Sequence, residues 1–252
     1  DDGFVQERIA ALRTQLDELE SGRALGADVP ELDVEQGYAA WAPIYDTMTN
    51  ALIRTEEPLV ARALADVAPG RALDAACGTG RHAVNLLAAG HETIAVDRSA
   101  AMLEVATAKV PDADLRTGEL TSLPLDDASV DVAVCALALA HLVDPAPAIA
   151  ELARVVRPGG RIVLSDAHPA FVLIFGQAFF PTPQGFAFVR NHVHLHSTYL
   201  AAFAAAGLQV RECAEAPMEA DFDEGLFAAA KDAAEALWDG IPIALVWTLD
   251  RP

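Results

Sequence analysis

The chain has 252 residues, of which 53% are hydrophobic and 21% charged, which excludes a disordered polypeptide and suits one large α/β domain or two small ones. Its 17 basic and 37 acidic residues give a net charge of −20, which argues against nucleic-acid and anionic-membrane partners. No apolar run approaches the ~18 residues of a membrane span, and three distant cysteines fit free thiols, so a cytoplasmic protein is expected.

The N-terminal region is predicted to be helical. Over residues 4–20, apolar residues recur at alternating spacings of four and three, the pattern of an amphipathic helix. This helix either packs on its own domain or pairs with a second copy, which would make a homodimer. Residues 35–66 also read as helical, with breaks expected at Pro43 and Pro58. Residues 1–66 are therefore predicted to form an N-terminal helical extension and lid.

Short apolar strands and helices alternate through the middle of the chain. Strands are predicted at residues 71–76, 91–97, 114–117, 130–136 and 161–165, and helices at 80–89, 100–110 and 146–156. Strands that are apolar throughout and alternate with helices indicate a parallel sheet that is covered on both faces.

The composition changes after residue 168. Residues 169–197 hold six of the ten phenylalanines and three of the seven histidines. This shift predicts a cap inserted into a domain spanning residues 67–252. Beyond the cap, helices are expected at 198–206 and 225–238, and strands at 208–213 and 243–249.

A glycine loop joins the first predicted strand to the next helix. Gly78 and Gly80 allow a tight turn and the close approach of a ligand, and with Asp97 they match a dinucleotide fingerprint. An NAD-dependent oxidoreductase is therefore one alternative. However, Asp74 at the strand end would repel a pyrophosphate and attract a cation. S-adenosylmethionine carries an ammonium and a sulfonium but no phosphate, so it is the expected cofactor. Asp97 would bind its ribose, unless it only caps a helix.

Five segments follow one another in an order typical of one family: LDAACGTG at 73–80, AVD at 95–97, GEL with LP at 118–124, DVAVCA at 131–136 and RVVRPGG at 154–160. Residues 71–166 thereby resemble the class I S-adenosylmethionine-dependent methyltransferases, in the small-molecule branch similar to quinone-biosynthesis enzymes. The resemblance implies a Rossmann-like, doubly wound α/β fold. Its seven-stranded sheet would be mostly parallel, with the last strand antiparallel and inserted.

The resemblance also implies which residues hold the cofactor. The methionine part would contact Asp74, Gly78 and Gly80, and Glu119 would take the adenine amino group. The full set of expected cofactor residues in this core is Asp74, Ala76, Gly78, Gly80, Asp97, Arg98, Met102, Glu119, Leu120 and Ala136. Tyr38 and Tyr45 lie in a tyrosine-rich segment that the family often uses as a lid over the cofactor, with plain packing as the alternative. A nucleophilic role for Cys77 is a weaker alternative to simple packing.

The acceptor side needs a shaped pocket, and a base only if the acceptor is a hydroxyl or an acidic carbon. His141, after the fourth strand, and His168, after the fifth, are the candidate bases. The cap supplies the candidate substrate contacts Phe171, Phe175, Arg190, His192 and His194. His192, His194 and His196 alternate, but same-face positions on one strand are ~6–7 Å apart, which is wide for one ion. No metal is therefore expected, and pocket and surface roles stay open.

These observations predict methyl transfer from S-adenosylmethionine to a small, apolar or aromatic acceptor such as a quinone-like compound or a natural product. O-methylation is favoured over C- or N-methylation. Two alternatives remain besides the oxidoreductase. One is a methyltransferase-fold protein that uses the cofactor structurally while it catalyses a cyclisation or isomerisation. The other is a non-catalytic partner that dimerises through residues 4–20.

Overall fold

The structure is a computed structural model that describes residues 13, 29–48, 50–183, 185–218, 238 and 240–252. Apart from Arg13, the helix predicted over residues 4–20 lies outside these residues, and with it the expected homodimer contact. Most of the helix predicted at 225–238 also lies outside them.

The described elements largely follow the predicted alternation. The strands are β1 (Glu31–Leu32), β2 (Arg71–Ala75), β3 (Glu92–Asp97), β4 (Asp114–Thr117), β5 (Val130–Ala136), β6 (Val156–Ala167), β7 (Ala178–Thr182), β8 (Gly185–Val189), β9 (Gln209–Pro217) and β10 (Pro242–Asp250). The α-helices are α1 (Val34–Trp41), α2 (Ala51–Leu64), α3 (Arg81–Ala88), α4 (Ala100–Lys109), α5 (Ala146–Val155), α6 (Pro169–Phe175) and α7 (His196–Ala205). None of these helices has the length and hydropathy required to cross a bilayer.

The main sheet has seven strands in the order β4-β3-β2-β5-β6-β10-β9. The pairs from β4 to β6 are parallel, whereas β10 is antiparallel to both of its neighbours. The predicted doubly wound sheet with an inserted antiparallel last strand is thus confirmed. Its central strands are buried on both faces, and the strand order reverses between β2 and β5. A parallel sheet opens a crevice at such a reversal, beyond the carboxyl ends of the strands.

One helix departs from the sequence prediction. Pro58 lies inside α2 and does not break it, so the predicted break there is wrong. Proline removes one backbone donor, but Pro58 and Arg54, four residues earlier, are both exposed. Water can therefore hydrate the Arg54 carbonyl that the missing N–H would have served.

The N-terminal segment and the cap form a second sheet together. Strand β1 pairs in parallel with β8, which pairs antiparallel with β7. Beneath this sheet, the indole of Trp41 stacks on Phe180 with ring centroids 4.8 Å apart. We call this unit, residues 31–48 with 178–189, the roof. The division into residues 1–66 and 67–252 stays a prediction, because the roof draws on both.

Candidate functional site

A cleft of about 1020 Å³, partly open to solvent, lies between the carboxyl ends of β2 and β5 and the roof. Most of the expected cofactor residues line it, namely Tyr38, Tyr45, Asp74, Ala76, Gly78, Asp97, Arg98, Glu119, Leu120 and Ala136. Gly80 and Met102 do not: Gly80 is the N-cap residue that precedes α3, and Met102 is buried in α4. The chain order of the strands therefore brings side chains from β2 to β5 to a single edge.

The two glycines of the loop have different structural roles. Both have left-handed backbones, with φ of 54° at Gly78 and 84° at Gly80. A Cβ at Gly78 would meet no described atom within 4 Å, since it would stand in the open cleft. A Cβ at Gly80 would lie 3.0 Å from Cγ2 of Val110. Gly78 therefore leaves space for a ligand, whereas Gly80 allows the loop to pack against α4.

Asp97 holds the glycine loop in place. Its Oδ2 accepts from the Gly78 N–H at 2.8 Å, and its Oδ1 accepts from the Ser99 N–H at 2.8 Å. Burial raises the pKa of Asp97, and these backbone hydrogen bonds oppose the shift. Each carboxylate oxygen still has a lone pair, and the residue faces the cleft. Asp97 can thus bind a ligand hydroxyl while it holds the glycine loop, and the N-cap of α4 is Ser99.

Asp74 is a buried carboxylate that lacks a full set of partners. Its side chain is 1% exposed, and its Oδ2 has no hydrogen-bond partner among the described residues. Burial raises the pKa of Asp74 to about 6. An orphaned buried oxygen is costly unless a ligand completes it, and a cation is the complement of a carboxylate. The unpaired carboxylate oxygen of Asp74 therefore fits the positively charged ammonium or sulfonium of S-adenosylmethionine.

Two non-glycine residues at the cleft have strained backbones. Ala76, after β2, and Leu137, after β5, have φ of 57° and 55°, in a region that L-residues rarely adopt. Both line the cleft. Such conformations persist where surrounding structure imposes them, and they cluster at functional sites. No local sequence pattern marks either position.

The sequence reasoning also missed a buried charge cluster beneath the cleft. Glu56 of α2 is fully buried and accepts from Arg81 Nη1 at 2.6 Å, from His82 Nε2 at 3.2 Å and from the Ser165 hydroxyl. Burial would raise the pKa of Glu56, but the His82 hydrogen bond and the Arg81 charge lower it. Arg81 and His82 line the cleft. Arg81 and His82 directly follow Gly80 in the sequence, and this position beside the glycine loop could have marked them as site residues.

The roof contacts the glycine loop and the end of β5. The Thr79 hydroxyl donates to Asp46 Oδ1 at 2.7 Å, and Lys109 donates to Asp46 Oδ2 at 3.0 Å. Further along the cleft, the Tyr38 hydroxyl lies 2.7 Å from His141 Nε2. These contacts hold the roof over the cleft both at the glycine loop and at the end of β5.

At one end of the cleft, Glu119 belongs to a set of weakly paired charged side chains. Arg98 lies 3.5 Å from Glu119 and 3.8 Å from Glu35, a residue of α1. All three side chains are more than 40% exposed, so these ion pairs are weak. Glu119 is consequently free to exchange Arg98 for a ligand amino group.

The structure places His168 outside the residues that line the cleft. Its Nδ1 accepts from the Ala170 N–H at 3.1 Å, so Nε2 carries the proton and donates to Glu215 Oε1 at 2.8 Å. His196 lies 2.9 Å from the same carboxylate oxygen. The ligand atoms of His168, His196 and Glu215 are within metal-binding distance of one another. However, neither nitrogen of His168 has a free lone pair, so this is a hydrogen-bonded cluster.

The expected substrate contacts of the cap are not in the cleft lining either. The Arg190 side chain donates to Glu31 Oε1 at 2.7 Å, and His194 is buried against the carbonyls of Leu139 and Leu142. His192 contacts the Ala140 carbonyl through its backbone. Phe171 lies near Trp238, and the Phe175 side chain is not among those described.

Cys77 lines the cleft, but its burial argues against a nucleophilic role for the thiol. Burial raises the pKa of Cys77, and its Sγ lies 3.7 Å from the Gly78 carbonyl. The thiol therefore stays protonated. Cys77, Cys135 and Cys213 are all free.

Comparisons with known proteins agree with this geometry. Residues 73–164 match the family described as "Methyltransferase domain". A demethylmenaquinone methyltransferase of Renibacterium salmoninarum is 36% identical over 135 residues, which are 52% of this chain and 57% of that protein. The chain spans about half the length of the curated relatives it matches.

Solved structures share the fold. An S-adenosylmethionine-dependent methyltransferase from Mesorhizobium loti superposes with a TM-score of 0.59 at 23% identity, over 77% of this chain and 96% of that one. The [4+2]-cyclase SpnF gives a TM-score of 0.62 at 16% identity, over 90% of this chain and 99% of that one. At these identities the likeness concerns the fold alone.

Proposed function

We propose, because residues 73–164 match a methyltransferase domain, that this protein transfers a methyl group from S-adenosylmethionine to a small acceptor. The single observation that carries the proposal is the buried, unpaired Oδ2 of Asp74 at the cleft. A carboxylate there attracts a cationic nucleoside and repels a diphosphate.

Different residues of the cleft would bind different parts of the cofactor. Asp74 and the open space at Gly78 would hold the methionine part, Asp97 the ribose, and Glu119 with the Leu120 backbone the adenine. The cofactor, when bound, supplies an activated methyl group and leaves as S-adenosylhomocysteine. The contribution of the protein is then placement and the exclusion of water, which by themselves account for much of a rate enhancement.

The acceptor is proposed to be apolar or aromatic, with a hydroxyl as the methylated group. The lining beyond the expected cofactor residues includes Val34, Leu137, Ala138 and Leu142, which suit an apolar acceptor. The name of the Renibacterium relative, a demethylmenaquinone methyltransferase, supports a quinone-like compound. His141 adds a basic side chain to this lining, which favours an acidic O–H over a carbon or an amine.

The proposal is tested first by binding and then by turnover. Titration calorimetry with S-adenosylmethionine, S-adenosylhomocysteine and NAD should show binding of the first two only. NAD binding without S-adenosylmethionine binding contradicts the proposal. Hydroxynaphthoquinones and simple phenols are then supplied together with the cofactor, and S-adenosylhomocysteine is measured. Conversion of an acceptor without S-adenosylhomocysteine would instead support cyclisation or isomerisation.

A further inference from the structure

A tyrosine and a histidine that are distant in sequence meet at the cleft. The Tyr38 hydroxyl is 2.7 Å from His141 Nε2, and His141 Nδ1 is 3.1 Å from the Arg190 carbonyl. A carbonyl oxygen only accepts hydrogen bonds, so Nδ1 must carry the proton of the neutral ring. Nε2 is then the acceptor, and the Tyr38 hydroxyl donates to it. The Arg190 backbone thus fixes the tautomer and the direction of the hydrogen bond.

This direction leaves the Tyr38 oxygen available to a ligand. Its proton is committed to His141, while no hydrogen bond from a described residue occupies its lone pairs, and both side chains line the cleft. Burial raises the pKa of Tyr38 and lowers the pKa of His141. Both groups are therefore neutral near neutral pH. A hydroxyl group of a ligand in the cleft can donate a hydrogen bond to the Tyr38 oxygen. Tyr38 in turn donates to His141, which is unprotonated at Nε2 and can act as the base.

We propose that Tyr38 and His141 form a proton relay that activates a hydroxyl acceptor. The acceptor O–H gives its proton to the Tyr38 oxygen as its oxygen forms the bond to the methyl carbon. The Tyr38 proton moves to His141 Nε2 at the same time. The S–CH3 bond of the methyl donor breaks as the O–CH3 bond forms, and its electron pair stays on the sulfur of the thioether product. The proton on His141 is later released to solvent. This inference rests on the proposed function and specifies its acceptor as a phenol or enol. Tyr38 is the catalytic residue, and His141 acts through it.

Other titratable groups surround the relay and must be separated from it. His192 lies near His141, while Tyr45, Asp97 and Asp166 lie near Tyr38. Burial raises the pKa of Asp166 and of Asp74 to about 6, so both titrate close to a histidine. Measuring kcat at saturating S-adenosylmethionine removes the contribution of Asp74 to cofactor binding. The remaining acidic limb is then assigned by comparing variants.

The test uses Tyr38→Phe, which removes the hydroxyl, and His141→Gln, which retains a hydrogen-bond acceptor but not a base. His192→Gln is the matched control, because His192 lies near His141 but is not among the described residues that line the cleft. The probes are 1-naphthol and the more acidic 4-nitrophenol. For 1-naphthol we expect kcat to fall about 100-fold in both relay variants, the scale of general-base catalysis. The loss should be smaller for 4-nitrophenol, which ionises more readily.

Two readouts separate a relay from a structural role. The affinity for S-adenosylhomocysteine, measured by calorimetry, should change less than about 3-fold, far below the 100-fold loss in kcat. A decline of kcat in acid should be present in the wild type and in His192→Gln, and absent in His141→Gln, because His141 is the base of the relay. In the cofactor-free protein, nitrogen NMR of the His141 ring should show the Nδ1–H tautomer.

Several results would overturn the relay. They are an Nε2–H tautomer, equal losses in kcat and in S-adenosylhomocysteine affinity, or a pH profile that His141→Gln leaves unchanged. Methylation of a carbon or amine acceptor but of neither hydroxyl probe would also do so, and would leave the proposed function standing. If no acceptor yields S-adenosylhomocysteine, the proposed function fails and the relay fails with it.

Discussion

Replacing Asp74 by Asn removes the negative charge at the cleft while it preserves the side-chain shape. The Oδ2 atom of Asp74 is buried without a partner among the described residues, so the amide introduces no steric conflict with a hydrogen-bonding neighbour. A hydrogen bond to a charged group contributes about 1.5–3 kcal/mol. Asp74→Asn should therefore weaken S-adenosylmethionine binding by about 10- to 150-fold near neutral pH.

The wild-type protein should also bind S-adenosylmethionine less tightly in acid. Burial raises the pKa of Asp74 to about 6. If only the carboxylate binds the cation, affinity should rise about tenfold between about pH 5 and about pH 7, because the ionised fraction rises by that factor. Binding at a pH near 6 should release a proton, since the cation favours the ionised form. Calorimetry in buffers of different ionisation enthalpy measures both effects.

The same carboxylate should cost stability when no cofactor is bound. A carboxyl pKa that is raised in the folded state gives stability below its unfolded value, and this stability is lost as the pH rises through the folded value. The rise of Asp74 from 3.8 to about 6 corresponds to at most about 3 kcal/mol at neutral pH. Cofactor-free Asp74→Asn should therefore have a higher free energy of unfolding than the wild type, as measured in urea.

Asp46→Asn is the matched control, because it removes one negative charge from a roof residue that does not line the cleft. It should retain the wild-type dependence of S-adenosylmethionine affinity on pH. The reasoning is refuted if wild-type affinity is constant from about pH 5 to about pH 7, or if Asp74→Asn binds S-adenosylmethionine as tightly as the wild type.

Three further predictions concern the loop, the buried charges and the roof. Gly78→Ala places a Cβ in the cleft and should weaken S-adenosylhomocysteine binding, whereas Gly80→Ala meets Val110 and should mainly lower the melting temperature; equal effects on both properties would contradict this division. Glu56→Gln removes the fully buried carboxylate that pairs with Arg81 and leaves Arg81 only the half-exposed Glu57, 3.5 Å away. It should lower the free energy of unfolding in urea by about 3 kcal/mol, so a neutral result would show that water reaches the cluster. Trp41→Ala empties the roof core and should cost about 3–5 kcal/mol, with faster hydrogen exchange in both β1 and β8; exchange confined to β1 would disprove the joint roof.

The core fold, and most of the residues that line the cleft at the ends of β2 and β3, could be predicted from the sequence. Alternating apolar strands and helices reflect burial on both faces of a parallel sheet, a property of each element taken by itself. Asp74, Gly78 and Asp97 occupy positions that any sheet of this order brings to its carboxyl edge. The predicted break at Pro58 was wrong. The cost of the missing backbone N–H depends on whether water can hydrate the unpaired carbonyl, and the local sequence pattern does not show whether that carbonyl is exposed.

The acceptor side was decided by tertiary structure. His168 and the cap histidines have the right residue type and a favourable place in the chain order, yet the structure gives them partners outside the cleft. His141 faces the cleft because the Arg190 carbonyl and the Tyr38 hydroxyl bind its two nitrogens. Which histidine has a free lone pair thus depends on backbone groups that are contributed by other elements.

The sequence by itself predicted most strands and helices of the main sheet, because these follow from short-range spacing and from burial. The seven-stranded arrangement and the chemistry at the strand ends came from the family resemblance and from the charged residues placed there. Only the tertiary structure decided the contacts between Tyr38 and His141, 103 residues apart, and between Glu56 and Ser165, 109 residues apart. Contacts between such distant residues do not produce a periodic pattern in the sequence, so they cannot be predicted from it. They form because the packing of whole elements, through the burial of their apolar faces, offsets the entropy of bringing distant segments together.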